Sequence, residues 1–142
     1  MDIRQLTPDL AVGPQITPQD VAALAEAGFR TLINNRPDDE VTPDLSSAAI
    51  QAAASAAGMD YHYIPFPPGQ ITPDMVAATA RALQGAHPVM AYCRSGNRST
   101  VLWALSEADR RPSAELAEIA ARAGYDLSPV MPLIGALARQ PG

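Results

Sequence analysis

Apolar residues along the chain recur with two different periods, and the change from one to the other marks the elements. Short runs of strand character at 29–33, 59–65 and 88–92 alternate with longer stretches whose apolar residues return every three to four positions. Those stretches predict helices over about 17–27, 43–57, 72–84, 98–110, 113–123 and 129–139. Thr17-Pro18, Thr42-Pro43, Thr72-Pro73 and Ser128-Pro129 each set a hydroxyl cap before a proline at the first helical position. Gly28, Gly58 and Gly85 stand where three of these helices should stop. Residues 3–6 and 10–12 predict a short leading hairpin or edge pair. Strand followed by helix, repeated, requires parallel crossovers. The expected fold is α/β, a central and mostly parallel sheet of about four to five strands flanked by helices. The length suits one domain over 1–142.

Composition refines this picture. Apolar residues make up 47% of the chain but aromatics only 5%, so alanine-rich helices can pack closely on the sheet. The net charge of -5 argues against general affinity for nucleic acid or an anionic membrane. The start has no apolar signal-peptide core and no run approaches a membrane span, so a cytoplasmic location is expected. Cys93 is the one cysteine: an internal disulfide and a metal site built on several thiolates are both excluded, and no metal or cofactor is expected.

That cysteine lies at the hinge between the run 88–92 and the helix predicted from 98, within Cys93-Arg94-Ser95-Gly96-Asn97-Arg98-Ser99. In open parallel sheets, ligands bind beyond the carboxyl ends of the strands. A tight turn here leaves backbone N–H groups of Arg94, Ser95, Gly96 and Asn97 to cradle an anion. The helix dipole and a guanidinium favour a nucleophilic thiolate. Gly96 permits the turn, Arg98 offers a planar fork to an oxyanion, and Ser99 is placed to donate to the sulfur. A buried cysteine at a strand end is commonly just a small apolar residue. Arg, Gly, Arg and Ser at these spacings favour catalysis.

The pattern Cys-x-x-Gly-x-Arg resembles the active-site loop of rhodanese sulfurtransferases. Protein tyrosine and dual-specificity phosphatases carry a related loop with one more residue between Cys and Arg, and usually a His where Tyr92 stands. Only helical runs follow Arg98, as in dual-specificity phosphatases, whereas rhodaneses place another strand there. The combination resembles a bacterial family of β-lactamase-hydrolase-like, phosphatase-like domains, often labelled sulfurtransferases. The likeness also covers the segments 10–18, 32–40 and 63–69. It implies a phosphatase-like fold with the cysteine loop after the last central strand. It also implies a small anionic sulfur donor with a thiol acceptor, or a phosphoester substrate, and a persulfide dioxygenase or sulfide-oxidising partner.

Other residues fall near the same sheet edge. Asn34, Asn35 and Arg36 close the run 29–33, and Asn35 and Arg36 are candidates for anion binding, with Asp38, Asp39 or Glu40 as alternative partners for Arg36. Phosphoester cleavage requires a general acid, for which Asp74 is the candidate in the loop 66–74, with Asp38 and Asp39 as substitutes. At the second position of a helix, Asp74 is equally explained by the macrodipole. His62 and His87 read as packing and surface residues. Sulfur transfer needs no acid at the leaving group, so the first expectation is a sulfurtransferase that carries a persulfide on Cys93. The alternatives are a phosphatase acting through a phosphocysteine and a non-catalytic module that binds anions or senses persulfide.

Overall fold

A computed structural model describes residues 1–139. Its five strands are β1 (Arg4–Thr7), β2 (Leu10–Gly13), β3 (Thr31–Asn34), β4 (Asp60–Tyr63) and β5 (Val89–Tyr92), and they form one sheet in the order β1-β2-β5-β3-β4. β1 runs antiparallel to β2, with a register shift between Gln5 and Thr7, and every other neighbour pair is parallel. The crossovers are helices α1 (Pro18–Glu26), α2 (Ser47–Ala56) and α3 (Pro73–Leu83). The last strand, β5, inserts between β2 and β3, which makes it the middle of the sheet and buries all four of its residues. After it, among the described residues, come only helices and turns, with α4 (Asn97–Glu107), α5 (Ser113–Arg122) and α6 (Met131–Ala138).

The two-residue period of the strands divides the interior into two cores. Leu10, Val12, Ile33, Val89 and Ala91 pack with Leu102 and Leu105 of α4, Leu116 of α5 and Ile134 of α6. Their alternates Ala11, Leu32, Met90 and Tyr92 pack with Val21 and Leu24 of α1 and Ile50 and Ala54 of α2. From Ser99 to Ser106 every residue of α4 is buried, polar Ser99, Thr100 and Ser106 as well as Trp103, so this helix is central and covered on all sides.

Two of the predicted helix starts are displaced, for one reason. At Thr17 the side chain accepts the Asp20 N–H at 3.1 Å and Asp20 accepts the Thr17 N–H at 3.0 Å, a reciprocal box that opens α1. Thr72 caps α3 through the Met75 N–H alone, without the reciprocal bond. The Thr42 hydroxyl instead bonds Asp44, so Pro43–Leu45 is a single 3-10 turn and α2 begins only after Ser46, which caps the Ala49 N–H. Likewise the Ser128 hydroxyl donates to Asp126, Ser128–Val130 forms a 3-10 turn, and α6 starts at Met131. β4 stops before Ile64-Pro65, since proline cannot extend a ladder.

Candidate active site

Cys93 follows directly on β5, at the carboxyl end of the central strand, and is 1% exposed. Gly96, at φ +95°, turns the chain into α4 and sends its N–H to Cys93 Sγ at 3.1 Å. The Arg94, Ser95, Arg98 and Ser99 amides have no hydrogen-bond partner among the described residues, and the Asn97 amide is taken by Ser95 Oγ at 3.4 Å. A loop with free amides at the head of a helix is an anion cradle. Arg94, Ser95 and Asn97 are exposed at its rim.

Arg98 is 13% exposed and held on its outer side. Nη1 donates to Glu40 Oε2 at 2.8 Å and to the Phe66 carbonyl at 2.7 Å, and Nη2 donates to Glu40 Oε1 at 2.7 Å. A guanidinium has five N–H donors in a fixed fork. With those three bonds made, Nε–H and one Nη2–H remain for a bidentate oxyanion. The hydrogen bonds to Glu40 raise the Arg98 pKa above its ordinary value, burial opposes this, and the nearby charge of Cys93 adds to the rise. The donors that meet hydrogen-bond geometry go to Glu40 and Phe66 rather than to the sulfur. In return Arg98 holds the Glu40 carboxyl below its usual range, against burial, with Arg36 assisting.

Several expected roles change. The Ser99 hydroxyl donates to Asn35 Oδ1 at 2.8 Å, so its proton does not go to the sulfur. Asn35 is buried and bonded on every side: its N–H meets the Tyr92 carbonyl, its carbonyl accepts from Phe66 N–H, and Nδ2 reaches the Ile64 carbonyl. It ties the ends of β3, β4 and β5 to α4, its buried side-chain amide engaged by Ile64 and Ser99. Arg36 donates to Glu40 Oε1, the Glu40 carbonyl and Gln15 Oε1, so it positions Glu40 and does not line the cradle. Asp74 is exposed in the first turn of α3 and makes no hydrogen bond or ion pair among the described residues. Asp38 Oδ1 accepts the Ser47 N–H at 2.7 Å, so this carboxylate braces the first turn of α2 beside the Ser46 cap. Asp39 is exposed.

Two residues at this site carry no local motif. Glu40 lies 58 residues before Arg98, and its only signal was its place among three acids after Arg36. Tyr125 lies between α5 and α6 and donates to the Ser95 carbonyl at 2.9 Å. An aromatic just after the helix-stopping Gly124, outside any strand or helix period, was the available signal. A groove of about 540 Å³ between α3, α4 and α6, lined by Ile71, Val76, Leu105 and Leu133, is separate from the Cys93 loop. Among the described residues there is no cluster of three or more His, Cys, Asp or Glu able to hold a metal ion, and no helix is long and apolar enough to cross a membrane.

A mostly parallel sheet whose last strand is central, followed by a cysteine loop, an arginine and then helices, defines a cysteine-based, phosphatase-like fold. Residues 2–110 match the family described as beta-lactamase hydrolase-like protein, phosphatase-like domain, and the chain belongs to that family. A beta-lactamase hydrolase-like protein of Agrobacterium fabrum is 33% identical over 121 residues, covering 83% of this chain and 28% of its own length. The chain thus spans under a third of that relative. A candidate phosphatase from Neisseria meningitidis, solved as a crystal structure, has a TM-score of 0.82 and 31% identity, over 96% of this chain and 99% of its own. Pseudomonas aeruginosa TpbA shares the fold at 21% identity, with a TM-score of 0.65 over 100% of this chain and 86% of its own.

Proposed function

We propose that this domain is a cysteine-dependent phosphatase and that aryl phosphates are the substrates it turns over best. One observation carries the reading: Glu40 and Phe66 fix one edge of Arg98, Nε–H and one Nη2–H have no oxygen partner among the described residues, and the Cys93 sulfur lies close enough to act on the guanidinium. In this reading an oxyanion of the phosphate occupies that fork and the loop amides hold the others. The sulfur then attacks phosphorus, the P–O bond to the alcohol breaks, and a phosphocysteine forms that water hydrolyses to inorganic phosphate. The leaving alkoxide needs a proton, and Asp74, in the first turn of α3, is exposed and makes no hydrogen bond or ion pair among the described residues. A phenolate leaves with less help than an alkoxide, which is why aryl esters are favoured. TpbA, a chain of the same fold, has been solved with pTyr in a cysteine-to-serine form.

Sulfur transfer is the second reading, favoured by the loop itself. It is one residue shorter between Cys93 and Arg98 than the phosphatase pattern, and sulfur transfer requires no leaving-group acid. One pair of assays separates the two. Incubated with an aryl phosphate, the protein should release phosphate, Cys93→Ser should release none, and acid quenching should trap phosphate on Cys93. Thiosulfate and cyanide yielding thiocyanate, with no phosphate released in the parallel assay, would reverse the order.

A further inference from the structure

The contact from Tyr125 acts on the one peptide unit that matters most to the sulfur. The Ser95 carbonyl and the Gly96 N–H belong to the same planar trans peptide, so they point in opposite directions. Gly96 N–H is the donor that meets Cys93 Sγ at 3.1 Å, and the Ser95 carbonyl is the acceptor that Tyr125 holds at 2.9 Å. Fixing the oxygen on one side of the plane fixes the hydrogen on the other. We propose that Tyr125 is a positioning residue for the Cys93 nucleophile, its hydroxyl holding the Ser95–Gly96 peptide so that the Gly96 N–H stays aimed at the sulfur. The proposal rests on reading Cys93 as a nucleophile and adds how that nucleophile is held.

The surroundings support a dedicated clamp. Gly96 sits at φ +95°, where rotating a peptide next to glycine meets little steric resistance, so an external restraint is needed. Tyr125 also lies against Gly96 so closely that a Cβ there would overlap its hydroxyl. The segment carrying Tyr125 is itself braced, since Arg4 of β1 donates from Nη1 to the Ala123 carbonyl at 2.8 Å. Burial raises the Tyr125 phenol above its ordinary value of 10, Arg4 opposes this and the Cys93 charge adds to it. The hydroxyl therefore keeps its proton, and can donate it, throughout the neutral range.

Tyr125→Phe keeps the ring and removes only the donor. The measurement is the rate of Cys93 alkylation by iodoacetamide at neutral pH, with thermal unfolding and aryl phosphate turnover alongside. Loosening one preorganised donor, as against deleting it, is expected to slow alkylation about fivefold and to lower kcat about tenfold, with KM within about twofold. The melting temperature should move by less than about 5 °C, since one neutral hydrogen bond is lost. If the hydroxyl merely held the loop closed, its loss would expose the buried sulfur and speed alkylation. Alkylation that is faster or unchanged overturns the proposal. A wild-type protein that releases no phosphate defeats the phosphatase reading alone, because the alkylation comparison needs no substrate.

Discussion

One carboxylate, Glu40, joins two arginines and so decides which edge of Arg98 faces the cradle. Glu40→Gln leaves a single neutral acceptor in place of a bidentate pair. The expected losses are about 1–3 kcal/mol of stability at pH 7 and at least about tenfold in kcat/KM for an anionic substrate. Because the folded carboxyl titrates below its ordinary 4.5, its stabilising contribution is complete above that value and disappears as pH falls through the lower folded one. Denaturant titrations of both proteins at neutral and acid pH should therefore show the gap closing in acid. Tyr92 makes the opposite case. Its hydroxyl is fully buried with no partner among the described residues, while the Gln15 amide bonds the Ile16 carbonyl instead. Burial accordingly drives the phenol far above its ordinary value. Tyr92→Phe should leave stability unchanged or raise it by up to about 1 kcal/mol in thermal unfolding, since an unpaired buried hydroxyl is removed. At this scale Cys93, Gly96 and Arg98 were legible because one loop holds them within six positions of chain. Glu40 and Tyr125 reach the loop across 58 and 30 residues, and no local spacing encodes such contacts.

Among the elements, identical-looking starts behave differently. Thr17-Pro18 and Thr42-Pro43 read alike, yet only Thr17 caps a helix, because Asp44 sits close enough to take the Thr42 hydroxyl. Thr17→Ala and Ser46→Ala should each cost about 1 kcal/mol, and Thr42→Ala distinctly less. Chemical denaturation of the three variants measures the difference, and equal losses at Thr17 and Thr42 would contradict the assignment of the cap to Ser46. The existence of the six helices followed from apolar period and glycine stops, whereas these starts depended on where one hydroxyl finds its nearest partner. Strand pairing is a third case. The run 88–92 was plainly a strand, but its insertion between β2 and β3 is set by long-range packing that no segment carries by itself.

For the molecule as a whole, β5 separates two cores and the Cys93 loop emerges where they meet. The α1/α2 core supports the sheet from one side, while the other core contains α4, whose first turn is the head of the loop. Loss of packing should therefore be felt differently on the two sides. Ile50 and Leu102 are both fully buried, one in each core. Truncating either to alanine should destabilise the protein by about 2–5 kcal/mol, the ordinary range for a buried aliphatic side chain. Turnover per folded molecule should divide them. In Ile50→Ala the cradle keeps its support and kcat/KM should stay within about twofold of wild type. In Leu102→Ala the cavity lies inside the helix that presents Gly96 and Arg98, and small displacements there misplace donors that must meet an oxyanion at hydrogen-bond distance. An activity loss of about tenfold is expected, measured at a temperature where both variants are folded by circular dichroism. Equal activity in the two would mean that the loop is held by Tyr125, Asn35 and Glu40 alone, and that α4 contributes stability without contributing geometry.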